Sequence, residues 1–229
     1  SYLLFMGGEI SGLNRHYEKL ADGTVKCIEQ ELPFEVPRGW SWCRLGNIFV
    51  TSSGTTPKSK SKEYYSNGHI NWVRTTELNN GIIRDCEIKI TEKATHDCHL
   101  SILPKETVCI AMYGGKGTIG KSGILKLDTT INQSVCAIHP NGFCNMQYVH
   151  FFIKEQRSRW MEFAIGSRKD PNINQVIIKQ CLFPLPPLKE QQRIVACLEK
   201  MESLIVQYKT NEEEINRLEQ NLPNQLKKS

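Results

Sequence analysis

Gly115-Lys116-Gly117-Thr118-Ile119-Gly120-Lys121-Ser122 satisfies the phosphate-loop spacing G-x-x-x-x-G-K-[ST], and G-x-G-x-x-G lies within it. Such a loop holds a nucleotide when its N–H groups and the N-terminus of a following helix converge on the phosphates. The apolar run Thr107 to Tyr113 before it suits that role, but what comes after does not. Gly123 follows at once, Ile124-Leu-Lys-Leu reads as another strand, and Asp128 is too close to hold magnesium from a separate strand end. No acid stands about 20 residues on to bind a ribose. A glycine-rich hairpin whose Lys116 and Lys121 can approach a phosphate backbone is the better reading. A P-loop-like nucleotide-binding enzyme using Gly115–Ser122 is the alternative.

Other chemistries find less. Glu87-Ile-Lys89 could carry a nuclease metal, but the acid before it, Asp85, is only two residues away. His96, Cys98 and His99 crowd together without a second ligand pair at zinc spacing. No serine sits in a nucleophile elbow, and a methyl-transfer cofactor loop is missing. The sequence reads as non-catalytic, with no metal site and no cofactor of its own.

What remains is a set of Lys and Arg residues beside hydroxyl and amide side chains. They are Thr55, Thr56 and Lys58 in one loop, Arg74 and Thr75 in another, Tyr113, Lys116 and Lys121 around the glycines, and Arg168 with Asn174 further on. Lysine and arginine contact phosphates, while Arg, Asn, Gln and Thr read base edges. Taken singly, each cluster is as readily a solvated loop. The net charge of +5 is unevenly spread: residues 189–229 carry seven bases and seven acids, so the whole excess lies in residues 1–188. A basic domain beside a neutral segment suits a polyanionic partner. The nine scattered cysteines include no Cys-x-x-Cys and are expected as reduced thiols in a cytoplasmic protein. No apolar run reaches the roughly 18 residues of a membrane span.

These residues need elements to position them. Residues 1–36 read as a polar, irregular lead-in, and residues 37–187 as the globular domain. Strand-like runs stand at 69–74, 81–84, 86–91, 107–113, 123–127 and 134–138, and a helical stripe runs from Met146 to Ile165. The class expected is a mixed α/β globular domain followed by a long C-terminal coiled-coil helix. Pro184, Pro186 and Pro187 forbid helix locally. Over residues 188–229, Ile194, Met201, Tyr208, Ile215 and Leu222 then fall seven apart, with Cys197, Leu204, Asn211, Leu218 and Gln225 three later in each heptad. That is a coiled-coil seam, about 50 Å long to Leu222, with Pro223 expected to kink or end it. The pairing residues expected are Ile194, Cys197, Met201, Leu204, Tyr208, Ile215, Leu218 and Leu222.

In order along the chain, Trp40-Ser-Trp-Cys-Arg-Leu-Gly, Gly54-Thr-Thr-Pro, Gly68-His-Ile-Asn-Trp-Val, Ala111-Met-Tyr-Gly, Thr118-Ile-Gly-Lys, Ile131-Asn-Gln-Ser and Leu185-Pro-Pro-Leu-Lys-Glu-Gln-Gln-Arg-Ile-Val precede the heptads. This series resembles the specificity subunit of type I restriction-modification enzymes, over about residues 31–229. The resemblance implies a target-recognition domain that reads half of a split double-stranded DNA sequence, followed by a conserved spacer helix. It implies partners too: methyltransferase (modification) subunits, a restriction subunit, and a second specificity half or a second copy paired through the helix. S-adenosylmethionine, ATP and magnesium would belong to those partners. The family carries two recognition domains and two spacer helices, and this sequence holds one of each.

Overall fold

The computed structural model describes residues 6–10, 13–19, 22–115, 117–167 and 172–226. The chain divides into two compact units, Ser1–Leu188 and Lys189–Ser229.

The first unit opens with an antiparallel sheet of β1 (Met6–Ile10), β2 (Leu13–Lys19) and β3 (Val25–Cys27). The lead-in was expected to be irregular, so this is a correction. Its polar strands hide their pairing from an apolar-pattern reading. Glu18, only 6% exposed, and Glu31 both receive the guanidinium of Arg44, at 2.9 and 2.6 Å, which ties the lead-in to β4 (Ser41–Arg44). α1 (Leu45–Ile48) and β5 (Thr51–Ser53) follow, then α2 (Lys62–Tyr65), β6 (Ile70–Val73), β7 (Gly81–Ile83), β8 (Lys89–Ile90) and α3 (Glu92–Asp97). β9 (Val108–Ala111), β10 (Ser122–Leu125), β11 (Thr130–Ile131) and β12 (Val135–Ile138) complete the central strands. α4 (Met146–Ser167), α5 (Gln175–Gln180) and β13 (Leu182–Leu185) close the unit.

Five strands form the main sheet in the order β5-β12-β9-β10-β7, antiparallel except for the parallel β10–β7 pair. A smaller sheet, β11-β6-β8, lies beside it. β9, β10 and β12 are buried at every position, as apolar runs without alternation must be when both faces are covered. One face carries Cys109, Ala111, Leu125, Val135 and Ala137 into a core shared with Val73, Leu78 and Ile131 of the smaller sheet's side. α4 packs on β9 and β10. β13 pairs with β4 across the chain, and Phe183 gathers Phe49, Tyr148 and Phe152 edge-on at centroid distances of 6.1, 5.6 and 5.0 Å. Three helices start on side-chain caps: Thr91 accepts from the N–H of Ala94, Asn145 from those of Gln147 and Tyr148, and Asn174 from that of Ile177. The nine cysteines are free thiols. Burial pushes those of Cys43, Cys136 and Cys181 up to about 12, which keeps them protonated at neutral pH.

The second unit is one helix, α6 (Leu188–Leu226, the first residue belonging to unit one). Pro223 neither ends it nor stops the last turn. One hydrogen bond lost so near a terminus does not decide where a helix finishes. From Glu199 to Leu218 every residue is exposed. Met201, Leu204, Tyr208, Ile215 and Leu218 are all more than half exposed, at 53, 54, 69, 56 and 61%. Cys197 is exposed and Ile194 half-buried, while the side chain of Leu222 lies outside the described residues.

Candidate nucleic-acid interface

Strand direction brings the loops together. β5 runs antiparallel to β12, β12 to β9 and β9 to β10, while β10 runs parallel to β7. The C-terminal ends of β5 and β9 therefore share one edge with the N-terminal ends of β12, β10 and β7. β6 and β11 run parallel in the smaller sheet, and their chain exits, Arg74 and Asn132, connect onward to β7 and β12. Four segments thus converge on a single rim: the loop leaving β5 at Gly54, residues 74–80, residues 112–121 and residues 132–134. A fifth joins them, because the N–H of Ile173 donates to the Met112 carbonyl at 3.1 Å and the Gln175 amide donates to Ser53 Oγ at 3.1 Å.

Hydrogen bonds fix this rim from several sides. The Asn132 N–H donates to the Val73 carbonyl, the Gly54 N–H to the Asn132 carbonyl, and the Met112 N–H to the Ser134 carbonyl, at 3.0, 3.2 and 2.8 Å. Thr56 Oγ1 donates to Gln133 Oε1. At Gly54 a Cβ would lie 1.7 Å from the Ile131 carbonyl oxygen, so no other residue fits. The Arg157 guanidinium, on α4, donates to the carbonyls of Ile119 and Gly117 at 3.2 and 3.1 Å and braces the glycine loop.

Every described candidate from the sequence falls on this rim. Thr55, Thr56, Lys58 and Asn174 are exposed, Tyr113 is 44% exposed, and Arg74, Thr75 and Lys121 are half-buried. Lys116 and Arg168 lie outside the described residues. Neither Lys58 nor Lys121 forms an ion pair with a described residue, which leaves both charges available to an anion. Arg74 is different. Its Nη2 is shared by Glu77 Oε1 at 3.0 Å and Glu87 Oε2 at 2.9 Å, so its charge is already balanced. Asn174 also has a structural task, since its side-chain oxygen caps α5. Sequence reasoning quoted Gln133 within a motif but gave it no role, and it missed Arg157 altogether. A hydrogen-bonding residue exposed between two strand ends was the signal available for Gln133; nothing local marked Arg157.

The glycine loop is a connection between antiparallel β9 and β10, with no helix after it. Its later N–H groups are already engaged: Thr118 and Ile119 donate to the Gly115 carbonyl, Gly120 to Ala111, Lys121 to Thr118, and Ser122 to the Asn80 side chain. Those five point within the turn, and the helix N-terminus that a phosphate loop needs does not follow it, so nothing in the loop favours the phosphate-loop alternative. Gly114 at φ +120° could carry no side chain without striking Thr118 at 2.8 Å. The proposed nuclease residues are likewise occupied, Glu87 by Arg74 and Asp85 by Lys89 at 3.2 Å. Among the described residues no three His, Cys, Asp or Glu side chains are placed to hold a metal. None of the described helices is long and apolar enough to cross a membrane.

A family model described as the type I restriction modification DNA specificity domain matches residues 37–220. The chain belongs to this family. Among its relatives is the type I restriction enzyme MjaIX specificity subunit of Methanocaldococcus jannaschii, 29% identical over 188 residues, covering 80% of this chain and 43% of that protein. Another is the EcoR124I/EcoR124II specificity subunit of Escherichia coli, 27% identical over 168 residues, covering 71% and 41%. The fold is that of the HsdS subunit from Thermoanaerobacter tengcongensis, with a TM-score of 0.60 at 18% identity over 76% of this chain and 40% of that one. A chain from a structure on complex assembly of the type I R-M system gives a TM-score of 0.63 at 19% identity, covering 80% and 43%. This chain spans less than half the length of these relatives. As a specificity domain, it has the mixed α/β build and the long C-terminal helix that the residues implied.

Proposed function

We propose that this chain is one recognition half of a type I specificity subunit. Its rim reads one half-site of a split sequence in double-stranded DNA, and it performs no chemistry itself. Lys58 and Lys121 supply phosphate contacts, with a steep dependence on salt. Thr55, Thr56, Tyr113 and Gln133 present the polar and aromatic groups that can meet base edges in the major groove. The observation that carries this reading is the convergence of the loops bearing those residues on one rigid edge of a domain in this family.

α6 is the spacer. Its exposed seam pairs with the helix of a second specificity half or of a second copy, and so sets the distance between half-sites. Methyltransferase subunits bearing S-adenosylmethionine and restriction subunits using ATP and magnesium complete the assembly, in the cytoplasm. The test is an exchange of residues 40–183 for another recognition domain, followed by mapping of methylated adenines in cells supplied with the partner subunits. A new half-site at unchanged spacing is expected. A changed spacing would show that the ruler is not α6.

A further inference from the structure

Beneath the loop that leaves β5 lies an open cavity of about 340 Å³, lined by Thr56, Ser59, Tyr65, Trp72, Arg74 and Ile88. Its position on the rim is fixed by Thr56 and Arg74, which follow the C-terminal ends of β5 and β6. The floor is apolar and has no hydrogen-bond donor left to offer. The Trp72 indole N–H already donates to the Thr55 carbonyl at 3.3 Å, and the Tyr65 hydroxyl to the Pro57 carbonyl at 2.6 Å. The two rings meet edge-on at 6.3 Å. The wall is polar. Arg74 Nη2 is held by two carboxylates, which orients the guanidinium plane, while Nη1 has no partner among the described residues.

A ligand for this cavity needs a small apolar projection next to a hydrogen-bond acceptor. In the major groove of a duplex one base edge has that pair: thymine, with its C5-methyl beside the O4 acceptor. A base swung out of the helix would need an aromatic face to stack on. Trp72 is only 4% exposed, which suffices for a methyl group and not for a ring. Cytosine puts an N4 donor where Arg74 also donates, so the wall refuses it. The balanced charge of Arg74, unhelpful for a phosphate, suits a neutral base edge. We propose that this cavity selects thymine in the recognised half-site, with the 5-methyl seated on Tyr65, Trp72 and Ile88 and O4 accepting from Arg74 Nη1. This inference rests on the DNA-reading function proposed above.

The experiment begins with selection of duplexes from a random library by the full chain, purified with whatever methyltransferase subunit accompanies it. If no duplex is enriched, the DNA-reading function fails, and this assignment with it. With an enriched duplex in hand, each thymine is replaced singly by uracil, which removes the methyl alone. One position is expected to weaken binding about fourfold, the effect of one buried methyl group. At that position 5-methylcytosine paired with guanine is expected to bind worse than uracil, because the methyl returns but O4 does not. In Ile88→Ala, and in Ser59→Phe, which fills the cavity from an exposed position without removing a core side chain, the thymine–uracil difference is expected to vanish. The assignment is overturned if no thymine is sensitive, if 5-methylcytosine binds as well as thymine, or if a well-folded Ser59→Phe keeps the full difference.

Discussion

At the rim, the backbone around Gln133 is held by hydrogen bonds from the 54, 73 and 112 segments as well as from its own turn; along α6, from Glu199 to Leu218, every side chain is exposed. The first region takes its shape from contacts distant in sequence. The second takes its shape from neighbours four residues away. A rim fixed on several sides can hold side chains in one orientation before DNA arrives, so little ordering entropy opposes binding. A helix with seven large apolar residues more than half exposed is the opposite case, since a helix draws most of its stability from packing such a face. One region is finished by its own fold, and the other leaves its apolar stripe exposed along most of its length.

The largest break in this contrast should come from Gly54→Val. With the carbonyl of Ile131 at 1.7 Å from the new Cβ, the loop must leave its place. A loss on the order of 3 kcal/mol in stability is expected. Specific DNA binding should disappear with it, as measured by thermal denaturation and fluorescence anisotropy, whereas α6 should still self-associate. The converse variant is Met201→Asp with Leu204→Asp. Both positions are exposed, so the melting of the first unit should move by no more than about 0.5 kcal/mol equivalent, while sedimentation should show a lower mass. An unchanged mass would remove these residues from the pairing seam. Next in size are Lys58→Ala and Lys121→Ala. Each should weaken binding to all sequences alike and flatten the slope of log affinity against log salt by about one. A change confined to one sequence would make the lysine a base reader instead.

The smallest expected effect concerns acid. Lys26 and then Arg44 hold the Glu31 carboxyl below its ordinary value, so the ion cluster joining the lead-in sheet to β4 is complete above about pH 4.5 and is lost as pH falls through the lowered folded value. Amide exchange in β2 and β3 should therefore quicken below pH 4.5 while that of β9 and β12 stays slow. Equal quickening in both would mean that Glu31 does not tie the lead-in down.

The same contrast explains what could be read from the sequence. The α6 helix was visible because its apolar periodicity is a local pattern, and β9, β10 and β12 because their runs are largely apolar without alternation. The rim residues were visible as types, Thr-Thr-Pro-Lys and Gly-Lys-Gly, though not as neighbours. That they share an edge depends on strand directions that no local pattern states. β11 has two residues, and β4 finds its partner β13 about 140 positions away, so neither leaves a periodic trace. Arg74 looked like a free cation although Glu77 stands three residues on, because what turns that carboxylate back onto it is a 3-10 turn, and its second partner, Glu87, lies beyond β7. The lead-in strands lack apolar alternation, and their tie to the domain is a charge cluster that hydrophobic patterning cannot detect.

Pinning Gly54 and Asn132 has a further consequence. Because the main chain there is anchored from below, the positions just beyond it whose side chains brace nothing, Thr55, Lys58 and Ser59, are expected to be exchangeable without shifting the platform that bears them. Retargeting such a module would then be a matter of swapping individual letters on a fixed keyboard, and a library confined to those three sites should stay folded while its preferred sequence drifts.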